Sequence, residues 1–416
     1  MKRIILLIII LLFLTGCEKT PDEVKNNMEK YNSDGDYNQD KIDNSHDIVT
    51  NLFGNIDEVL KANYQNLIMP NKITIEDIIS IPLLTFKQAD DFDHNYYDIM
   101  KLFYDESIIN RQEIIEKKWS DGTSSYYFDN QKDKIYASIT DNGFVAISQS
   151  NAYDLIFQNN YEREQILHVD RGDDTNISYK LLDGKCTVKS QIEYVEQWLS
   201  NYWSKYEADY TFRVKTAIIR KLDAENYYYQ LIIEKLYEGI PLDELVGDFA
   251  AFDNENNRGY INGTVNYIEM QIMSSDSISS FRNAFGSIYV DTVDNSTDKF
   301  ISLQSAVKML EKELSGFQDI IISDIEVKYT LCPIYDYIGE LVTDDKNMSQ
   351  TFKTQSTYYP GITITSRPVW AFIIQVEQEE YKETDGTVKK GDIRKYIYID
   401  MITGEIKVGL DNIPYI

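Results

Sequence analysis

Hydrophobic and polar positions divide this chain into three regimes. Residues 4–14 are an unbroken apolar run behind Lys2 and Arg3. Residues 18 to about 50 are polar, rich in Asn, Asp, Gln and Ser, with few apolar anchors. From Asn51 onward apolar residues recur at helical or alternating spacing, which predicts a folded body.

Within that body, Ile56-Asp57-Glu58-Val59-Leu60 predicts part of a short helix. Tyr96, Met100, Phe103 and Tyr104 fall on one face of a helix over 96–104. Residues 125–128, 134–139 and 144–147 read as strands, with Asp129-Asn130 and Asp141-Asn142-Gly143 as hairpin turns. Residues 51–184 are therefore an N-terminal α+β region. A helix over 188–203 carries Ile192, Val195, Trp198 and Leu199 on one stripe. Strands follow at 210–220 and 227–237, joined by Asp223-Ala224-Glu225-Asn226, then at 263–273 and 286–290. The order then repeats. A helix over 302–314 has Ser302 as N-cap and Ala306, Met309, Leu310 and Leu314 toward the core. Strands are expected at 325–332, 369–376, 394–399 and 406–408. The predicted fold class is α+β, with antiparallel sheets each packed by a helix. The pattern predicts two similar helix-plus-sheet units, 185–300 and 301–416, after the N-terminal region.

The first apolar run spans about 11 residues, too short to cross ~30 Å of hydrocarbon as a helix. It has the length of a signal-peptide core, and small residues follow it where a signal peptidase cuts. Leu14-Thr15-Gly16-Cys17 resembles the lipobox of bacterial lipoproteins of the Gram-positive type. The resemblance implies cleavage between Gly16 and Cys17 and a diacylglyceryl group on Cys17. Two acyl chains suffice for stable anchoring. An ordinary secretory signal and an uncleaved anchor are the competing readings; the order basic, apolar, lipobox favours lipidation. Residues 1–16 are then a signal peptide, and 17–50 a lipidated, flexible tether. A coil of that length reaches about 30–35 Å. The expected location is the outer face of the cell membrane.

Composition narrows the partners. The formal charge is −27, and loss of residues 1–16 removes Lys2 and Arg3 and no acidic residue, which takes it to −29. Such a surface repels phosphate backbones, so no nucleic-acid partner is expected. It also repels anionic lipid heads, so the body is expected to stand off the bilayer. With 32 Tyr and 17 Phe the chain is too aromatic for a disordered protein, and the Tyr-rich runs favour sheet.

The last stretch carries a second resemblance. Tyr396-Ile397-Tyr398-Ile399-Asp400-Met401-Ile402-Thr403-Gly404-Glu405-Ile406 resembles the end of PepSY-type domains. Pro368-Val369-Trp370-Ala371-Phe372 resembles their preceding strand, and Ser302-Leu303-Gln304-Ser305-Ala306 their helix start. The same order occurs in extracytoplasmic regulatory lipoproteins similar to the YycH/YycI group. The likeness covers residues 300–416; the unit before it ends in Ile288-Tyr289-Val290-Asp291 without the Thr-Gly-Glu turn. It implies a binding or regulatory module, with no catalytic residues to carry over. In the turn itself, Gly404 is expected at positive φ and Asp400 as the cap of its amides.

Candidate chemistry is sparse. The histidines are His46, His94 and His168, and no H-x-x-x-H, C-x-x-C or H-E-x-x-H spacing occurs, so no zinc site is expected. His94 with Asp91 and Asp93 is a weak metal set. Asp36, Asn38 and Asp40 alternate like the first ligands of a calcium loop. Positions six and twelve hold Lys41 and Asp47 instead of Gly and Glu, which favours a solvated linker. Cys186 and Cys332 could pair in an exported protein, but they lie in different regions, which favours unpaired thiols. No nucleophile elbow or P-loop is present. In so acidic a chain the pairs Asp243/Glu244 and Glu379/Glu380 do not point to glycoside hydrolysis. Arg171-Gly172-Asp173 reads as a polar turn. No catalytic, cofactor or metal residue is expected, and Cys17 is the one assigned site. The expected role is non-enzymatic binding or regulation, with a membrane or envelope protein as partner. The alternatives are a solute-binding lipoprotein of an importer, which calls for βαβ alternation, and a cell-envelope hydrolase.

Overall fold

The structure, a computed structural model, describes residues 52–71, 73, 78, 80–88, 95–118, 124–132, 134–141, 143–149, 163–243, 267–283, 287–295, 300–316, 320–334, 363–374, 379–382, 388–391 and 395–410. The first elements are α1 (Ile56–Lys61), β1 (Leu67–Ile68), β2 (Leu83–Gln88), α2 (Tyr96–Met100), β3 (Ile115–Lys118), β4 (Ser124–Asn130), β5 (Ile135–Thr140) and β6 (Val145–Ser148). Then come β7 (Arg163–His168), β8 (Ser178–Lys180), β9 (Lys185–Thr187), α3 (Val188–Trp198), β10 (Thr211–Lys221), β11 (Tyr227–Tyr237), β12 (Ile240–Asp243), β13 (Tyr267–Ile272), β14 (Ser280–Asn283) and β15 (Ile288–Asp294). The last are α4 (Leu303–Glu313), β16 (Ile320–Ile334), β17 (Thr363–Ile374), β18 (Glu379–Lys382), β19 (Val388–Gly391), β20 (Lys395–Asp400) and β21 (Ile406–Leu410). The architecture is mixed α+β, with most of the described body in strands.

One sheet runs β3-β4-β5-β6-β14-β13-β11-β10-β7, and every neighbouring pair in it is antiparallel. The other is built on the long antiparallel pair β16 and β17. Beyond β17 lie β20 along one half and β2 along the other; β20 carries β21, and β2 carries β15. On its far side β16 pairs in parallel with β1 and β12. Strand β12 also pairs antiparallel with β11, so it is the corner where one sheet passes into the other.

Each helix seals one face of one sheet. Helix α3 starts at a Thr187 cap, whose Oγ1 accepts from the Ser190 amide at 3.1 Å. Its stripe of Ile192, Val195, Trp198 and Leu199 is buried, as its spacing predicts, in one apolar cluster with Ala217, Ile219, Leu231, Ile233, Ile268 and Met270. Its last turn widens to a π-helix over Leu199–Trp203. Trp203 comes to rest fully buried, 4.6 Å from the Phe281 ring. Helix α4 has the expected Ser302 cap, with Ser302 Oγ accepting from the Ser305 amide. Ala306, Leu310 and Leu314 are buried as predicted, Met309 is half-buried, and Leu303 and Val307 join them. They pack on Ile325, Val327, Leu331, Trp370, Phe372, Ile397 and Ile399. Each such side chain contributes about 1.5–3 kcal/mol over an exposed one.

Two local expectations are corrected. The face Tyr96, Met100, Phe103 and Tyr104 does pack on the core, but α2 ends at Met100 and the chain goes on in turns. Tyr104 accounts for the break: its hydroxyl donates to the carbonyls of Tyr136 and Ser148, a position a straight helix would not reach. Asp129-Asn130 is not a turn. Both residues continue β4, pairing with Tyr136 and Ile135, and the reversal comes after them. Gly143 has the positive φ expected of the turn, +80°, and a Cβ added there would fall within 3 Å of Ser287, so the position requires glycine.

Candidate functional site

The sheet faces turned away from the helices carry charge. Side chains alternate along a strand, so Lys328 lies opposite Val327 and Tyr329, and Glu234 lies opposite Ile233. On the β16–β17–β20 sheet this face holds Lys328, Glu326, Tyr396 and Tyr398 beside the small apolar cluster Val369, Ala371, Ile373. Lys215 of β10 reaches it from the other sheet. Its Nζ stands 5.7 Å from the Tyr396 ring centre, and Lys328 Nζ stands 5.0 Å from the same ring. A charged seam therefore joins the sheets.

Arg213–Glu234 and Lys328–Glu326 are ion pairs of the seam. Arg213 donates to Glu234 Oε1 through Nε at 2.7 Å and Nη2 at 2.5 Å. Lys328 pairs with Glu326 at 3.0 Å, with 2% and 15% of their side chains exposed. Asp170, on the 3-10 turn Val169–Arg171 after β7, lines a slit together with Arg213 and Glu326. The residue as a whole is half-buried, but its carboxylate Oδ1 is sealed from solvent. Burial first, then the Glu326 and Glu234 carboxylates, push its carboxyl up to about 8, against the pull of Lys215 and Lys328. A slit of about 30 Å³ opens beside it, lined by Asp170, Arg213, Asp324, Glu326, Phe53 and Trp370 among others. That volume admits a water, not a metabolite. What this arrangement can do chemically is hold or release a proton.

A second buried pair lies under α3. Lys235 and Glu207 meet at 2.6 Å with both side chains 0% exposed. Glu207 also accepts from the Trp203 indole at 2.8 Å, and Lys235 also donates to Asn283 Oδ1 at 3.3 Å. Both charges are held by a second polar partner as well as by each other, so this network fixes geometry.

The residues singled out from sequence fall as follows. Cys17, the tether with Asp36, Asn38, Asp40, Lys41, Asp47 and His46, and Asp91, Asp93 and His94 lie outside the described residues. Cys186 is a free thiol, as expected, with Gln191 Nε2 at 2.9 Å and Ser190 Oγ at 3.1 Å from its sulfur. The Cys332 side chain and the pairs Asp243/Glu244 and Glu379/Glu380 lie outside the described side chains. Arg171-Gly172-Asp173 is a polar turn: Gly172 ends the 3-10 turn, and Asp173 Oδ2 accepts from the His168 amide. The Asp400 turn is as predicted. Gly404 has φ +73°, and Asp400 Oδ1 accepts from the amides of Ile402 and Thr403 at 2.8 and 2.9 Å. Among the described residues no cluster of His, Cys, Asp and Glu is placed to hold a metal ion. Among them, too, no helix is long and apolar enough to cross a membrane. Sequence reading missed the seam. Lys215, Glu234 and Lys328 alternate with apolar residues along long strands, the same pattern that a solvated strand face gives.

No family model and no curated protein matches the sequence. A solved structure of similar shape is that of an uncharacterized protein from Eubacterium rectale ATCC 33656. The two share 15% identity at a TM-score of 0.45, over 80% of this chain and 89% of that one.

Proposed function

We propose that the chain is a lipid-anchored extracytoplasmic protein with a non-enzymatic binding or regulatory role, held to the outer face of the membrane through Cys17. The observation that carries this reading is the order Lys2-Arg3, an apolar run, then Leu14-Thr15-Gly16-Cys17. The strongly acidic body and its polar tether suit a domain that stands clear of anionic lipid heads. The PepSY-like ending, with its Asp400-capped turn, supports a module that binds or regulates.

The body is two similar helix-plus-sheet units after an N-terminal region. In support, α3 and α4 are each 11 residues long, each begins at a hydroxyl cap, and each precedes antiparallel strands.

The partner expected is a membrane or envelope protein. Crosslinking in intact cells, followed by mass spectrometry of what copurifies, tests it. A reproducible membrane-protein partner supports the regulatory reading. A retained small molecule or glycan without a protein partner overturns it in favour of solute binding or an envelope hydrolase.

A further inference from the structure

Lys235 of β11, Asn283 of β14 and Glu207, past the π-helical turn of α3, meet in the interior, and all three are 0% exposed. Lys235 Nζ donates to Glu207 Oε1 at 2.6 Å and to Asn283 Oδ1 at 3.3 Å. An amine nitrogen thus stands beside both a carboxylate and a carboxamide. Each of these partners is held in place. The Trp203 indole donates to Glu207 Oε2 at 2.8 Å. Asn283 Nδ2 donates to the Gly143 carbonyl and to Ser287 Oγ, both at 3.3 Å. The setting is apolar: Trp203 packs on Phe281, which precedes Asn283 by two residues and shares its face of β14.

We propose that Lys235 and Asn283 become joined by an amide crosslink that these residues form themselves. Glu207 Oε1 takes a proton from the Lys235 ammonium, and the free amine attacks Asn283 Cγ. The Nζ–Cγ bond forms and the Cγ–Nδ2 bond breaks. Glu207 passes its proton to Nδ2 and takes one from the attacking nitrogen, so ammonia leaves and Glu207 stays a neutral acid. Nothing is oxidised or reduced, and no co-reactant is needed. In bulk water a lysine does not attack a carboxamide, because the amine is protonated and the encounter is random. Here the two are held in contact, a carboxylate moves the proton and water is kept out, so the step is intramolecular. The bond closes a sequence separation of 48 residues and ties β11 to β14 across β13, which pairs with both. Like a disulfide, it stabilises by restricting the unfolded chain. The Lys235–Glu207 ion pair is the reactant state. Its own contribution is read against Asn283→Ala, which cannot react.

Proteolytic mapping of the folded full chain by mass spectrometry, after incubation until its mass is constant, tests the crosslink. The expected result is a branched peptide that joins the Lys235 and Asn283 segments and weighs one ammonia less than the two together. Asn283→Ala gives no branched peptide. Glu207→Gln slows its formation by about 100-fold or more. The wild-type peptide decides whether the bond exists, whichever variants fold. Separate segments in the folded wild-type chain, a branch from Lys235 that persists in Asn283→Ala, or a link that forms equally fast in Glu207→Gln would overturn the proposal.

Discussion

Lys235 and Glu207 show how context decides the worth of a charge. With both side chains fully buried, neither can return to water when its partner is lost. Lys235→Met leaves Glu207 uncompensated and should cost about 3–5 kcal/mol in urea unfolding. Lys235→Met combined with Glu207→Gln removes both charges and should recover most of that loss; a double variant as unstable as the single would contradict the pairing. Residue-level features with local causes were legible in the sequence. Ser302 caps because a hydroxyl precedes an amphipathic run, and Asp400 and Gly404 serve a turn whose chemistry is contained in five residues. Lys235 was not legible, since a lysine in an exposed strand and one fully buried beneath a helix are the same letter. What distinguishes them is Glu207, 28 residues earlier.

Elements follow from periodicity where a single face is buried. The stripes of α3 and α4 are read correctly because each packs on one sheet. Ser302→Ala should therefore weaken α4 and lower stability by about 1 kcal/mol, read as a shift of the urea midpoint with an unchanged slope. No shift would mean that packing alone sets the start of the helix. Tyr96 to Tyr104 misleads because its apolar spacing is satisfied by a five-residue helix followed by turns that deliver Tyr104 to two strand carbonyls. Strands β2 and β7 went unmarked for another reason. They are short, and their partners lie far along the chain: β2 pairs with β15 and β17, and β7 with β10. Pairing over such separations leaves no trace in a local window.

At the scale of the molecule, two sheets joined at β12 turn their helix-covered faces outward and share a charged seam. The seam charges look, in sequence, like the solvated positions of a half-buried strand. Only the approach of the second sheet buries them. The acidic body, the polar tether and the lipobox belong to a single reading, a folded module held off the outer surface of a membrane. The mass of the N-terminal peptide, from protein recovered from cell membranes, tests that reading most directly. It predicts that residues 1–16 are missing, that the peptide starts at Cys17 with the added mass of a diacylglyceryl group, and that Cys17→Ala abolishes this product. A peptide that retains residues 1–16, or one that starts at an unmodified Cys17, would contradict it.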